Sequence, residues 1–316
     1  MCNKALFKDK VILDVGAGSG ILSIWAAQAG AAKVYAVEFT DVAKHAKALV
    51  ASNGLSDTIE VIQSSAEDLE LPGQVDIIIS EWMGYFLLRE SMLDSVLRAR
   101  NKWLKPEGAM FPSNATMYFS AISNESDREG KIDDYMGSLR EWNVFMDEMK
   151  EYYNVDMGVI EKSYIQEQSE FHIYSSLWTE LQTEHVIGQP VVVKRFDLNT
   201  CTIEEVQGVG QTPYSVNVPF PIRVSGFAGW FTVDFAGSVG TPAQKRVTLS
   251  TGPEVGYTHW GQQVFYLKNA IDCTPDTTIS GDLSLVRQDT NKRLYNLLLT
   301  VKTDDGPSEK FIYEMP

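Results

Sequence analysis

The chain has 316 residues, ordinary hydrophobic and charged fractions of 44% and 22%, and a formal net charge of −15. No run approaches the roughly 20 apolar residues of a membrane span, and the N-terminal stretch MCNKALFKDK has no apolar signal core. So acidic a surface opposes direct binding to nucleic acid and favours basic partners. Cys2, Cys201 and Cys273 are odd in number, lie far apart and form no CxxC pair. That pattern points to a reducing compartment, the cytoplasm or the nucleus, and away from a structural zinc site.

From Lys10 to Pro112 short apolar runs alternate with helical stretches. VILDV (11–15) reads as a strand, and Leu22, Ala26 and Ala29 then recur at helical spacing. VYAVE (34–38) follows, then a helix from Asp41 to the natural stop at Asn53-Gly54. IEVIQ (59–63) and VDIIIS (75–80) are the next strands, the latter apolar enough to be covered on both faces. Leu93, Val96, Leu97, Arg100 and Leu104 mark a helix that should stop at a turn, KPEG. This order predicts a doubly wound, Rossmann-like α/β domain over 1–112. Beyond it the rhythm is that of strands: ATMYFSA (115–121), VSGFAGWFTVDFAG (224–237), KRVTLS, QVFYL, ISGDLSLVR and LYNLLLTVK. Residues 113–316 are therefore expected as an antiparallel β-barrel or sandwich, with a charged, aromatic helical excursion at 124–158. The fold class is α/β plus β.

VILDVGAGSG places Gly16, Gly18 and Gly20 at a strand-to-helix turn, where glycine lets the backbone approach a ligand and aim helix N–H groups at it. Dinucleotide sites use G-x-G-x-x-G, and the sixth position here is Ile21. The tighter spacing suits a ligand with a carboxylate instead of a pyrophosphate, such as S-adenosylmethionine. Asp14, at the carboxyl end of the first strand, is placed to meet its amino group directly or through water. Glu38 closes the second strand 18 residues past Gly20 and can accept both ribose hydroxyls. Glu67, in SSAEDLELP, is a candidate acceptor for the adenine amino group, and Asp68 matches it on spacing.

The segment SEWMGYFLLRESML (80–93) opens at the carboxyl end of the apolar strand VDIIIS, with Glu81 and Glu90 nine residues apart and Gly84 between them. If it folds back, both carboxylates face one point, where they repel unless a cation lies between them. A sulfonium is one such cation. A guanidinium is another, and its planar fork matches carboxylates.

At this point the chain resembles the protein arginine methyltransferases over nearly its whole length. The matching segments are VILDVGAGSGILS, VYAVE, AEDLELP, the double-glutamate loop, ARNKWLKPEG and YTHWGQQVFYL. The loop and Thr258-His259-Trp260 are the specific ones. The resemblance implies that Glu81 and Glu90 clamp a target guanidinium, and that Asp14, the glycine turn, Glu38 and Glu67 hold S-adenosylmethionine, released as S-adenosylhomocysteine. It implies that Met83, Met92 and Trp260 line the substrate pocket. His259, which alone would read as a satisfied core histidine, becomes a residue behind the glutamates. It further implies Arg-rich protein substrates such as histones, and a homodimer joined through the excursion that ends in YYNVDMGVI. Met92, where symmetric-forming members carry phenylalanine, implies the asymmetric (type I) product, and SGFAGWFTVDF and ISGDLSLVR resemble the sixth-numbered subtype. The family's aromatic segment before the cofactor strand, which supplies an arginine for the cofactor and an acidic partner for the histidine, has no counterpart in the ten residues ahead of VILDV. The rival readings are a methyltransferase of the same fold on another acceptor and a catalytically silent dimeric scaffold for basic tails.

Overall fold

A computed structural model describes residues 3–304 and 306–316; Cys2 lies outside the described residues. The first half runs α1 (Lys4–Phe7), β1 (Val11–Val15), α2 (Ile21–Gln28), β2 (Lys33–Glu38), α3 (Ala43–Ser52), β3 (Ile59–Gln63), β4 (Val75–Ile79), α4 (Leu93–Trp103) and β5 (Leu104–Phe111). Its five strands form one sheet in the order β3-β2-β1-β4-β5, and every pairing is parallel. The chain builds outward from β1 through β2 to β3, then returns to the other side of β1. The strand order therefore reverses between β1 and β4, and an α/β sheet opens its ligand crevice at the carboxyl ends of two such strands. Asp14 stands level with Ala36 on one side and Ile79 on the other. Ile12, Val34, Ala36, Ile77 and Ile79 are buried in the core around this point. The one polar residue of β4, Asp76, accepts from the Val11 N–H at 2.9 Å and from Lys105 at 2.7 Å.

The KPEG segment departs from expectation. It ends α4 as predicted, but it is part of β5 rather than a free turn. Val75 pairs with Leu104 and Ile77 with Ala109, so residues 105–108 bulge out of the strand. Turn residues here supply a β-bulge instead of a chain reversal.

The second half contains β6 (Asn114–Ile122), α5 (Glu125–Tyr153), α6 (Gly158–His172), β7 (Leu177–Thr179), β8 (Val186–Asp197), β9 (Gly208–Asn217), β10 (Ile222–Gly237), β11 (Pro242–Ser250), β12 (Gln262–Cys273), β13 (Thr278–Arg287), β14 (Tyr295–Thr303) and β15 (Glu309–Met315). They form two further sheets. One has the order β7-β12-β10-β6-β8 with β11 beside β10, and the other β15-β14-β13-β9. β8 and β9 escaped the sequence reading because each carries glycine and proline inside the strand, which read as breaks. Both are terminal strands of their sheets, the place where proline is tolerated.

The helical excursion also runs further than expected. α5 ends at Tyr153, capped by Asn154 with a left-handed φ of 52°, and a second helix runs from Gly158 to His172. Gly158, read as part of the end, instead opens α6, its N–H donating to Asp156 at 2.9 Å. The two helices are pinned by Trp142 stacked on Tyr164, with centroids 4.2 Å apart. No helix among the described residues is long and apolar enough to cross a membrane.

The chain divides into two compact units, Met1–Thr116 with Lys194–Gln207 and Phe231–Ser250, and Met117–Val193 with Gly208–Trp230 and Thr251–Pro316. Buried Arg100 of α4 ties a later segment into the first unit, donating to the carbonyls of Leu198 and Cys201, both at 2.7 Å.

Candidate active site

The turn after β1 needs its glycines. Gly16, Gly18 and Gly20 have φ of 71°, 54° and 88°, a region costly for residues with a side chain. The N–H groups of Gly16 and Ala17 both donate to the Val37 carbonyl at 2.9 Å, which sets the turn against β2. α2 then starts with Gly20 as its N-cap and no side chain capping it, so the Ile21 and Leu22 N–H groups are left for another acceptor, while the Ser23 N–H is turned to Asp14.

Asp14 is fully buried. One carboxylate oxygen accepts from the Ser23 hydroxyl at 2.7 Å, and the other has no hydrogen-bond partner. Burial raises its pKa to about 7, against the opposing bonds from Ser23, and the nearby Glu38 charge adds to the rise. A buried acid with one oxygen unpartnered is a site prepared for a cation.

Glu38 is buried too but has the opposite balance. Burial raises its pKa, and hydrogen bonds from Thr40, Gly18 and Phe39 more than offset this, so it is held below the usual carboxylate range. One oxygen accepts from the Thr40 N–H and hydroxyl at 2.8 and 2.7 Å, the other from the Gly18 N–H at 3.0 Å. The second oxygen keeps acceptor capacity. Glu38 thus fixes the glycine turn and retains a face for a diol.

Glu67 and Asp68, the two candidates for the adenine amino group, have different local partners. Asp68 closes a reciprocal turn with Ser65, accepting its hydroxyl at 2.7 Å and donating its own N–H back at 3.0 Å. Glu67 reaches out of that turn to accept from Ser95 on α4 at 2.7 Å.

The segment after β4 does fold back. The Gly84 N–H donates to Leu87 at 2.9 Å, Leu88 to Phe86 at 2.9 Å, and Ser91 to Leu88 at 3.1 Å. Four residues that are not glycine take left-handed φ in this loop: Phe86 (46°), Leu87 (68°), Glu90 (79°) and Ser91 (58°). Each costs on the order of 1 kcal/mol. Gly84 is obligatory, because a Cβ there would overlap the Arg89 carbonyl. The apolar members Trp82, Met83, Phe86, Leu87 and Leu88 are buried and anchor the loop, while Glu81 and Glu90 are exposed. Strain of this kind persists where a rigid surround over-determines it, as at sites that do chemistry.

Two contacts join this loop to the glycine turn. The Ser80 hydroxyl donates to the Val15 carbonyl at 2.7 Å, locking the end of β4 to the end of β1. The Met92 thioether lies against Gly16, where a Cβ would strike its terminal methyl. Met92 was expected at the acceptor pocket; in the structure it forms one wall of the glycine turn.

In the second unit His259 is exposed, so it is not a core histidine. Its ring packs on Trp260 with centroids 3.8 Å apart, and its carbonyl accepts from Trp178 at 3.2 Å. Trp260 is buried.

These side chains fit S-adenosylmethionine: an unpartnered buried acid for its ammonium, an uncapped helix start for its carboxylate, and spare acceptor capacity on Glu38 for its ribose. Sequence reasoning missed the residues that hold the site in place, namely Ser23, Thr40, Ser80 and Ser95. Nothing in their spacing marks them, since a single serine or threonine is common at helix and loop positions.

The chain matches the family model for the arginine methyltransferase oligomerization subdomain over residues 113–306 and that for a methyltransferase domain over 12–108. It is 48% identical to Protein arginine N-methyltransferase PRMT10 of Arabidopsis thaliana over 98% of this chain and 82% of that protein. Protein arginine N-methyltransferase 6 of Danio rerio, of the subtype expected above, is 39% identical over 92% of this chain and 77% of that protein. A crystal structure of the Arabidopsis thaliana protein arginine methyltransferase 10 superposes with a TM-score of 0.96 at 44% identity, covering 99% of this chain and 91% of that one. With a parallel sheet, a glycine turn and a strained double-glutamate loop meeting where its strand order reverses, the chain belongs to the protein arginine methyltransferase family, enzymes that use S-adenosylmethionine as methyl donor.

Proposed function

We propose that this protein methylates the terminal guanidino nitrogen of arginine in Arg-rich proteins, histones among them, with Glu81 and Glu90 as the guanidinium clamp. The observation that carries the reading is the fold-back of 80–92 at the carboxyl end of β4, which presents two exposed glutamates from one rigid loop. S-adenosylmethionine, when bound, supplies an electrophilic methyl. A guanidinium is protonated below about pH 12 and is a poor nucleophile. Glu81 and Glu90 hold it so that one nitrogen is aligned for attack, which contributes through orientation. They also draw positive charge toward the other nitrogens as it redistributes. A glutamate of the clamp, or His259, accepts the departing proton. The −15 charge fits basic substrates, met in the cytoplasm or nucleus.

The products are monomethyl and asymmetric dimethyl arginine. Met92 is unbranched and yields space, so a methylated nitrogen can return to the attack position. The test is incubation with S-adenosylmethionine and an Arg/Gly-rich peptide, followed by chromatography of the hydrolysate. Asymmetric dimethylarginine should predominate over the symmetric isomer. Predominance of the symmetric isomer would overturn the steric argument, and an unmethylated peptide would overturn the activity.

The working assembly is a homodimer in which the α5–α6 hairpin of one copy docks on the cofactor-binding domain (1–112) of the other, the rest of 113–316 serving substrate binding. The hairpin exposes Phe145, Tyr152, Tyr153, Val159 and Phe171, and α2 and α3 expose Ile21, Trp25 and Leu49. Apolar surface of this extent on both elements calls for a partner. Replacing 125–172 by a short linker should halve the mass seen by light scattering; an unchanged mass would remove the arm from the assembly.

A further inference from the structure

We propose that Arg89 is a specificity-determining residue, a fixed internal cation that competes with the substrate guanidinium for Glu90. The inference rests on Glu90 being a substrate-gripping carboxylate, as argued above. Arg89 directly precedes Glu90 in the fold-back loop, and its position is set by the backbone. Its N–H donates to Tyr85 at 3.3 Å, and its carbonyl abuts Gly84 so closely that no side chain fits there. The left-handed φ values of Glu90 and Ser91 then turn the chain sharply.

The side chain is as constrained as the backbone. The guanidinium carbon lies 5.3 Å from the Tyr85 ring centroid, a cation–π distance. The side chain is only 21% exposed, and its Nε is buried without a hydrogen-bond partner. A guanidinium that leaves one donor unsatisfied under the loop is held by its surroundings and is not swinging in solvent. Its Nη1 stands 3.9 Å from Glu90 Oε1. That is beyond hydrogen-bonding range, so Arg89 does not orient Glu90 through a directed bond. It is well within Coulomb range, so its charge is felt at the carboxylate.

The consequence concerns how strongly any arginine is drawn in. Two clamp carboxylates facing an arriving guanidinium would form a deep, indiscriminate electrostatic trap. A fixed positive charge beside one of them cancels part of that attraction. Most of the penalty falls on substrate and transition state alike, because substrate and methyl donor together keep the same total charge as the methyl passes between them. It therefore sets KM and leaves kcat nearly alone. Arginines presented with further contacts to the protein surmount it more easily than isolated ones.

The test compares Arg89→Met, which is neutral and flexible, with Arg89→Lys, which keeps the charge. Steady-state kinetics on an Arg/Gly-rich peptide are paired with calorimetric binding of that peptide in the presence of S-adenosylhomocysteine. In Arg89→Met, KM and peptide Kd should each fall about four- to tenfold while kcat stays within about twofold, the size expected for removing one like charge that acts through partly exposed, water-screened surroundings. Arg89→Lys should keep both constants near the wild-type values. A rise in KM, a large drop in kcat at an unchanged melting temperature, or a lysine variant behaving like methionine would overturn the proposal. Should Arg89→Met fail to fold, Arg89→Gln reads the same quantities. Glu90→Gln measured in parallel separates the two layers, since undiminished turnover there would remove the clamp reading itself.

Discussion

Glutamine at position 90, or at position 81, is expected to lower the rate of methyl transfer at least about a thousandfold, the scale of losing a preorganised charge at a reacting group. Glutamine has nearly the shape of glutamate but no charge, and it presents an N–H₂ toward a guanidinium that has only donors to offer. The clamp then loses both its attraction and its geometry. Each glutamate should be needed separately, because a guanidinium held on one side can rotate out of line. The loop itself should survive, since Glu81 and Glu90 are exposed and its anchoring side chains are Trp82, Met83, Phe86, Leu87 and Leu88. Cofactor binding should accordingly stay close to wild type by calorimetry. A single-turnover assay in which either variant keeps most of its rate would show that the clamp is not part of the reaction.

Alanine at position 38 is expected to weaken binding of S-adenosylhomocysteine by about 1.5–3 kcal/mol, or roughly ten- to a hundredfold in Kd, as for loss of a hydrogen bond to a charged group. The structure adds a second reason beyond the ribose. Glu38 accepts from the Gly18 N–H and from Thr40, so its removal also unties the glycine turn. Glu38→Gln should fall between the two, because its amide oxygen can keep one of those bonds. Calorimetry on the two variants makes the comparison. Wild-type affinity in Glu38→Ala would mean that the ribose sits elsewhere.

The parts of the fold that were legible in the sequence are those where one local pattern has one structural solution. A strand entering Gly16-x-Gly18-x-Gly20 and a helix has few alternatives, and β4 could be read as central because its apolar run admits no solvent face. The fold-back of the double-glutamate loop was legible as a possibility through Gly84, but its conformation was not. Phe86 and Leu87 are bulky residues that ordinarily avoid left-handed φ, and only the buried surround of the loop holds them there. KPEG was misjudged because turn residues serve bulges as well as reversals. β8 and β9 were missed because proline and glycine break a central strand but not a terminal one. Ser80 acts across the sheet on Val15, 65 residues away, and Ser95 reaches back 28 residues to Glu67, pairings of which a one-dimensional pattern carries no trace; Ser23 and Thr40 act locally on Asp14 and Glu38, where a lone hydroxyl is too common to stand out.

The unpartnered oxygen of Asp14 makes cofactor exchange a proton exchange as well. Without ligand, the Asp14 carboxyl titrates near pH 7 instead of its ordinary 3.8, because burial disfavours its charge. A raised acid stabilises the fold fully below about pH 4 and loses that contribution as pH rises through 7, since the native state binds the extra proton in that window. The ligand-free protein should therefore melt at a lower temperature at pH 8 than at pH 5.5, and Asp14→Asn should flatten that difference. A cation seated beside the carboxylate reverses the preference and expels the proton. Ligand binding at pH 6 should then release protons in calorimetry, visible as a dependence of the apparent enthalpy on the buffer's own ionisation heat, and binding at pH 8.5 should not. The same carboxyl whose ionisation destabilises the ligand-free protein thus makes methyl-donor occupancy responsive to small changes of pH around neutrality.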